Sequence, residues 1–351
     1  MQREALFLGT GASKVFGLPL TNEIFPEIVH RLKENSLFDD SEEIKVLSTF
    51  IRRLLPGLSD LSNENYPLIT DILSLMDHLV ANGNTLWKKT ILNDLENFRI
   101  LFERGIFEVL KVPFHNTKLA DNKDKPEILN SFIDWIYRSI NYKYFTIIST
   151  NNDLVVEHEL YDKFIDDKET LSKAIDFGIK WRHPVTNKIV LQPNKPKLGI
   201  YKLHGSTNWL KCNLCNHIYI NTSGSISHQA FRKKIDGNNT FECGHAPLSS
   251  FIVAPSLERV IHDNNIPYLW NNALEQMRTS EEWIIMGYSF PPEDINIKSL
   301  FVRAFRGRKT KPKITIVPQG ESAQPRYTSI FGKINYNPSG LEGFLRDKMT
   351  N

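Results

Sequence analysis

Short apolar runs recur along the second half of the chain, and one such run also opens it. They are rich in β-branched and aromatic residues and are bounded by polar or small residues, a pattern typical of buried strands. The predicted strands are residues 4–8, Phe145–Ser149, Leu198–Leu203, Phe251–Val253, Trp283–Met286 and Ile314–Val317.

Apolar residues at helical spacing fill most of the remaining chain. Residues 21–140 contain little that resembles a parallel strand, and Asn116–Pro126 reads as a polar surface loop. The periodicity predicts helices within Asp40–Leu54, Pro67–Asn82, Leu86–Leu110, Asp153–Tyr161, Leu269–Glu282 and Ile295–Arg306.

Strands that alternate with helices predict a parallel sheet with right-handed crossovers and both faces covered. We therefore predict an α/β fold: a doubly wound, Rossmann-like parallel sheet with a helical insertion and a small zinc-ribbon-like module. The sheet domain comprises residues 1–20 and 141–351, the insertion is 21–140, and the module is 205–250 within the sheet domain.

Composition narrows the class of protein. The 351 residues are 41% hydrophobic and 24% charged with a net charge of +3, which favours a globular protein and argues against a surface built for direct nucleic-acid contact. The basic run Arg306–Lys313 has the charge to contact nucleic acid or an acidic partner, but such runs are more often solvated loops, and it is read as one. Gly9 and Gly11 interrupt the first apolar run, and no stretch reaches membrane-spanning length, so we expect a cytoplasmic protein without membrane contact.

The first strand runs into a loop of small residues at Gly9 and Gly11, and a helix follows. A buried strand that ends this way can deliver backbone N–H groups to a nucleotide phosphate. The same pattern also occurs in ordinary strand-to-helix turns, so this motif alone leaves both readings open.

Polar residues follow three further predicted strands, in the segments Ser149–Asp153, Lys202–Ser206 and Gly287–Pro291. Taken singly, these residues could be helix caps and turn residues. Because parallel strands end at one edge of the sheet, where open α/β sheets bind their ligands, their coincidence favours a ligand site.

The three cysteines do not form a disulfide framework, but their spacing suits a metal. Cys212-x-x-Cys215 and the later Cys243-x-His245 offer three thiolates and an imidazole, a set that binds structural zinc. His217 competes with His245 as the fourth ligand. The alternative is a metal-free ribbon in which the cysteines only pack.

Together these motifs resemble those of the sirtuins. Gly9-x-Gly11-Ala-Ser13-x3-Gly17-Leu-Pro19 is similar to the sirtuin GAG-x-S-x3-G-I-P loop, and Ser149–Asp153 is similar to the TQNID turn. Leu203-His204-Gly205, with Cys212 eight residues after the histidine, resembles the LHG-x7-C arrangement that holds the catalytic histidine. The resemblance covers roughly residues 1–20 and 144–320. It implies NAD-binding residues Gly9, Thr10, Gly11, Ala12, Ser13, Gly17, Leu18, Pro19, Gly287, Tyr288 and Ser289, the last three by likeness to the sirtuin GTS turn.

The chain departs from the sirtuin pattern at three places. Leu20-Thr21-Asn22 replaces the Asp-Phe-Arg after the glycine loop, and Ile252–Glu258 replaces the Phe-Gly-Glu segment that pairs with an acetyl-lysine peptide. Val317-Pro318-Gln319 stands where sirtuins carry an adenosine-side asparagine. With the nicotinamide end retained, the chain resembles the divergent sirtuin-like NADases of bacterial antiphage defence.

This resemblance implies an NAD hydrolase that releases nicotinamide and ADP-ribose and acts in defence by depleting NAD. NAD is then the substrate and zinc a structural ion. Cleavage of the N-glycosidic bond passes through an oxocarbenium-like state. Asn151 is expected to orient the ribose or the water, Asp153 to hold the nicotinamide amide, and His204 to act as the base.

Two alternatives remain open: an NAD-dependent protein deacylase, and a non-catalytic NAD-binding sensor or scaffold. An NADase must be gated, so we expect self-association and a protein partner in trans. The resemblance suggests a HerA-type ATPase, a short Argonaute or a phage-derived activator. The helical insertion is read either as the assembly surface, through exposed apolar positions such as Phe102 and Phe107, or as a lid over the cleft.

Overall fold

The structure, a computed structural model, describes residues 2–58, 66–81, 92–111, 126–163, 174–184, 186–212, 214–222, 243, 248–252, 265–292, 294–319 and 323–350. Within them the strands are β1 Arg3–Leu8, β2 Tyr144–Ser149, β3 Ile175–Asp176, β4 Trp181–Arg182, β5 Ile189–Val190, β6 Leu198–Lys202, β7 Gly205–Cys212, β8 Ile218–Ile220, β9 Leu248–Ile252, β10 Glu282–Met286, β11 Lys313–Val317 and β12 Asn335–Tyr336. The helices are α1 Thr10–Val15, α2 Thr21–Lys33, α3 Ser41–Leu54, α4 Ile69–Ala81, α5 Leu92–Val109, α6 Glu127–Ser139, α7 Val155–Lys163, α8 Asn265–Thr279, α9 Ile295–Arg306, α10 Gln324–Phe331 and α11 Gly340–Thr350.

A sheet of seven described strands runs in the order β12-β11-β10-β1-β2-β6-β3, and each of its pairings is parallel. From β1 the chain moves to one side of the sheet, where β2, the edge strand β3 and then β6 are added, and it later continues on the other side at β10. This confirms the predicted doubly wound α/β fold. The strand order reverses between β1 and β10, which makes the gap beyond their ends the topological switch point where such sheets bind ligands.

The helical unit consists of Pro19–Lys111 together with Ile252–Val260. Its described helices bury one apolar stripe each around a common core, in which Phe50 and Phe98 stack at 3.9 Å. A buried ion pair joins Arg104 to Glu43. The expected exposure of Phe102 and Phe107 is wrong, because both side chains are buried. Phe102 belongs to the common core of the helical unit.

The unit ends earlier than the predicted insertion of 21–140, because α6 belongs with the sheet. On α6, Trp135 packs edge-on against Phe145 of β2 at 5.5 Å, and Phe132 packs against Phe16 at 5.2 Å. The amphipathic pattern of α6 resembles that of the helices before it in the chain. Periodicity therefore could not show that α6 packs on the large sheet.

A second sheet contains the described strands β5-β4-β8-β7-β9. The predicted strand Phe251–Val253 was expected in the parallel sheet, but β9 lies beside β7 in this smaller one. The ring of Phe251 stacks on the ring of Trp209 in β7 with an interplanar angle of 6°. The apolar run at β9 therefore packs within the smaller sheet. The predicted loop Asn116–Pro126 lies almost wholly outside the described residues.

In the part of the chain that the structure describes, no helix is both long enough and apolar enough to cross a membrane.

Candidate active site

The strand ends of the large sheet lie in register. Leu8 pairs with Ser149 on one side and with Met286 on the other, and Ser149 in turn pairs with Lys202. The ladder continues one residue further, since the Leu203 N–H donates to the Ser149 carbonyl at 2.9 Å. The segments that follow β1, β2, β6 and β10 therefore start at the same edge of the sheet.

The segment Gly9–Ser13, which comprises Gly9 and the first residues of α1 and is called the glycine loop below, packs directly against the turn after β10. The Gly11 N–H donates to the Gly287 carbonyl at 2.8 Å, and a Cβ on Gly287 would lie 2.0 Å from the Ala12 nitrogen. Gly287 also has a φ of +62°, which glycine adopts without strain. The loop and the turn form one close-fitting backbone surface, and no side chain at Gly9, Gly11 or Gly287 would fit between them.

Asn151 ties this loop to the turn after β2. Its Nδ2 donates to the Gly9 carbonyl at 2.9 Å and to the Ser13 hydroxyl oxygen at 2.8 Å, and the side chain is buried. Among the residues that the structure describes, the Thr150 hydroxyl donates to Oδ1 at a long 3.5 Å, and no other donor to this atom is seen. Both N–H groups of the Asn151 amide thus donate within the protein, and its Oδ1 can accept a hydrogen bond from another group.

The Asp153 carboxylate is buried and held from two sides. The Ser13 hydroxyl donates to Oδ2 at 2.7 Å, and the Val155 N–H at the start of α7 donates to Oδ1 at 3.2 Å. Asp153 therefore joins the glycine loop to α7 and also caps that helix.

His204 lies two residues after the end of β6 and is buried. Asn152, on the turn after β2, donates through Nδ2 to the His204 carbonyl at 2.8 Å. From α8, the Trp270 indole N–H donates to the Leu203 carbonyl at 3.1 Å, and its ring lies 6.3 Å from the imidazole, tilted by 30°. Sequence reasoning missed Trp270, because nothing in the local pattern of α8 indicates that one of its side chains flanks a strand end.

Lys202 and Glu157 were also missed. Lys202 ends β6, and its Nζ lies 2.6 Å from Oε1 of Glu157 on α7; both side chains are buried. Burial raises the pKa of the Glu157 carboxyl, an effect that the charge of Lys202 opposes. The available signal was a lysine inside the otherwise apolar run Leu198–Leu203, a position where a charged side chain needs a partner.

The three cysteine sulfurs lie within 4.8 Å of one another. The Cys215 and Cys243 sulfurs are 3.9 Å apart, close to the separation of about 3.8 Å expected of two thiolates on one tetrahedral zinc. Cys212 and Cys243 are closer, at 2.9 Å. The predicted trio fits a zinc ion that would staple β7 to the segments that carry Cys215 and Cys243.

Two histidines are the predicted alternatives for the fourth zinc ligand. His217 places Nδ1 3.1 Å from the Cys215 sulfur, which makes it a candidate. His245 lies outside the described residues and stays a prediction.

The remaining predicted residues are placed unequally. Thr10 and Ala12 lie in the short helix α1, where the sequence had predicted a loop, and Gly17 and Leu18 follow that helix, whereas Pro19 is the first residue of the helical unit. In the turn after β10, Ser289 is exposed. The Tyr288 side chain is instead buried against Phe7, with its hydroxyl donating to Asp294 at 2.8 Å, so its ring serves packing.

No protein-family model matches the sequence, and no curated protein matches it either. Among solved structures, a Sir2 complex with p53 peptide and NAD+ is similar with 14% identity and a TM-score of 0.44, covering 99% of this chain and 92% of that one. A Sir2 complex with an inhibitor, 2'-O-acetyl-ADP-ribose and deacetylated p53 peptide gives 14% identity and a TM-score of 0.44, with coverages of 99% and 93%. A structure described as the structural basis of sirtuin substrate affinity gives 14% identity and a TM-score of 0.46, again with coverages of 99% and 93%. These values describe a distant likeness, and the fold class follows from the strand order and register described above.

Proposed function

We propose that this protein hydrolyses NAD and releases nicotinamide and ADP-ribose. One observation carries the proposal: the side chains of Ser13, Asn151 and Asp153 form a single hydrogen-bond network that joins the glycine loop to the turn after β2. Asn152 joins that turn to His204. These hydrogen bonds link the glycine loop, the Asp153 carboxylate and the main chain of His204 at the edge where a doubly wound sheet binds its ligands, and this supports the proposal.

The chemistry assigns each group a task. Water attacks C1′ of the nicotinamide ribose while the C1′–N1 bond breaks. The electron pair of that bond stays on N1 of the departing nicotinamide. His204 accepts the proton from the water or from a ribose hydroxyl. Because the donors of Asn151 are spent on Gly9 and Ser13, its Oδ1 accepts a hydrogen bond from the ribose or from the water.

Asp153 is the group proposed to hold the nicotinamide amide. Ser13 and the Val155 N–H each occupy one of its two oxygens, which fixes the plane of the carboxylate. Each oxygen retains a second lone pair that can accept an amide N–H from the substrate. A preset acceptor of this kind orients the leaving group without reorganisation during the reaction.

We further propose that the NADase acts as an antiphage effector gated by assembly. Self-association and a partner in trans, either a HerA-type ATPase, a short Argonaute or a phage-derived activator, would keep NAD cleavage off in the resting cell. The helical unit exposes Val46, Leu68 and Leu75, at 42%, 39% and 42%, and these replace the buried Phe102 and Phe107 as candidate contact positions. Light scattering of Val46→Glu and Leu75→Glu variants tests this step, and an unchanged molar mass would argue against it.

The test of the proposed reaction is incubation of the purified protein with NAD alone, with nicotinamide and ADP-ribose quantified by chromatography. The same reaction is run with each candidate partner and with an acetyl-lysine peptide. We expect the two products in equal amounts, without a requirement for peptide, and their loss in His204→Ala. Product formation that requires the peptide would establish the deacylase instead, and NAD binding without products in any mixture would establish the sensor.

A further inference from the structure

Lys202 and Glu157 form a buried ion pair that contacts the main chain of the candidate active-site residue Asp153. The two side chains are only 3% and 5% exposed, and Nζ lies 2.6 Å from Oε1. The same Nζ donates to the main-chain carbonyl of Asp153, also at 2.6 Å. One ammonium group thus links the strand that precedes His204 to the backbone of the residue proposed to hold nicotinamide.

Stability alone does not account for this pair. Removing two charges from water costs about as much as their attraction returns, and apolar residues of similar size are often equally stabilising. The elements are also joined without it, since Leu203 donates to the Ser149 carbonyl at 2.9 Å and Val155 donates to the Asp153 carboxylate at 3.2 Å. What the pair adds is a fixed distance between the end of β6 and the Asp153 backbone.

Further hydrogen bonds connect the segments of Asp153 and His204 indirectly. The Asn152 side chain reaches the His204 carbonyl at 2.8 Å, and the Ser13 hydroxyl holds the Asp153 carboxylate at 2.7 Å from the other side. Lys202, two residues before His204 in the sequence, adds a direct hydrogen bond to the Asp153 main-chain carbonyl. Glu157 neutralises the ammonium and keeps it aimed at Asp153.

We propose that Lys202 and Glu157 are positioning residues that set the separation between the Asp153 carboxylate and His204 during cleavage of the nicotinamide bond. The inference rests on the proposed NAD hydrolysis. A displacement of about 1 Å in a catalytic arrangement lowers turnover by as much as about 100-fold. Because the glycine loop does not contact Lys202 in the described structure, substrate binding should change far less than turnover.

The test replaces both charges at once with apolar residues, in Lys202→Met/Glu157→Leu, so that no buried charge is left alone. The matched control is Lys143→Met/Glu4→Leu, which removes an ion pair with a buried glutamate at the opposite end of the sheet, where β1 and β2 begin. We expect kcat to fall about 10- to 100-fold in the first variant and to stay within about threefold in the control. The KM for NAD and the melting temperature should change little in both.

Amide hydrogen exchange over residues 153–157 supplies a readout that does not depend on turnover. We expect faster exchange there in Lys202→Met/Glu157→Leu and unchanged exchange in the control. If the double variant does not fold, Glu157→Asp takes its place, because the shorter side chain draws Lys202 away from the Asp153 carbonyl.

The inference would be overturned if the wild type is active and Lys202→Met/Glu157→Leu has the same kcat. Unchanged amide exchange at residues 153–157 in that variant would also overturn it. A wild type that never releases nicotinamide would instead refute the proposed function. In that case the exchange result still decides whether the pair holds the Asp153 backbone.

Discussion

Replacing Gly287 with alanine tests the close fit between the glycine loop and the turn after β10. The added Cβ would lie 2.0 Å from the Ala12 nitrogen and 2.5 Å from the Gly11 carbonyl carbon, and both are main-chain atoms that cannot rotate away. To reach a contact of about 3.5 Å, the two segments must separate by about 1.5 Å. The variant therefore disrupts the surface proposed to receive the NAD phosphates.

The expected loss of stability has three parts. Alanine at a φ of +62° costs about 1.5 kcal/mol, the lost Gly11–Gly287 hydrogen bond about 1 kcal/mol, and the forced separation a further 1–2 kcal/mol or so. The variant should lose about 4 kcal/mol of unfolding free energy, and its affinity for NAD should fall.

Gly340→Ala is the matched control. Gly340 has the same φ of +62°, but the nearest atom to its added Cβ is the Pro318 carbonyl oxygen at an ordinary 3.6 Å. It should lose only about 1.5 kcal/mol, the cost of the backbone conformation. Urea unfolding followed by tryptophan fluorescence measures both variants. Equal losses in the two, or a Gly287→Ala variant within about 1 kcal/mol of wild type, would refute the argument from close packing.

Three further predictions concern the base, the metal and a buried tyrosine. His204→Ala should lower nicotinamide release about 10²- to 10⁴-fold without changing the melting temperature by more than a few degrees, and near-normal turnover in the active assembly would exclude His204 as the base. Elemental analysis should find about one zinc per chain, and Cys212→Ser should lower both the metal content and the melting temperature; zinc loss in His217→Ala but not in His245→Ala would identify His217 as the fourth ligand. Burial, with a smaller contribution from a nearby aspartate, raises the pKa of Tyr144 to about 12 from 10.0. The folded protein therefore keeps a proton that the unfolded chain loses, and stability falls as the pH rises from about 10 to 12. Tyr144→Phe should lessen that fall by up to about 1.4 kcal/mol per pH unit, and an unchanged slope in pH-dependent urea unfolding would contradict the assignment.

The sequence by itself determined the doubly wound sheet and the positions where its polar segments begin. Short buried strands have a local signature in their apolar runs, and Gly9, Asn151 and His204 follow such strands within two residues. Because parallel strands end at one edge, local patterns were enough to predict which segments meet there. The three cysteines were likewise found by spacing alone.

Only the tertiary structure decided which surface an apolar stripe covers. The stripe of α6 reads like those before it, yet it packs on β2, and the run at β9 joins the smaller sheet. A hydrophobic pattern predicts that one face of a helix or strand is buried. It does not indicate which other element packs against that face. For that reason the end of the helical unit and the burial of Phe102 and Phe107 could not be read from periodicity.

The tertiary structure also decided the partners within the site. Lys202 meets the Asp153 carbonyl across 49 residues of sequence, and Trp270 meets the Leu203 carbonyl across 67. Side-chain hydrogen bonds act over about 3 Å and depend on where separate elements come to lie, whereas sequence patterns report only neighbours a few residues apart. The residue types at the strand ends were therefore predictable from sequence, and the contacts that hold them at working distance were settled only by folding.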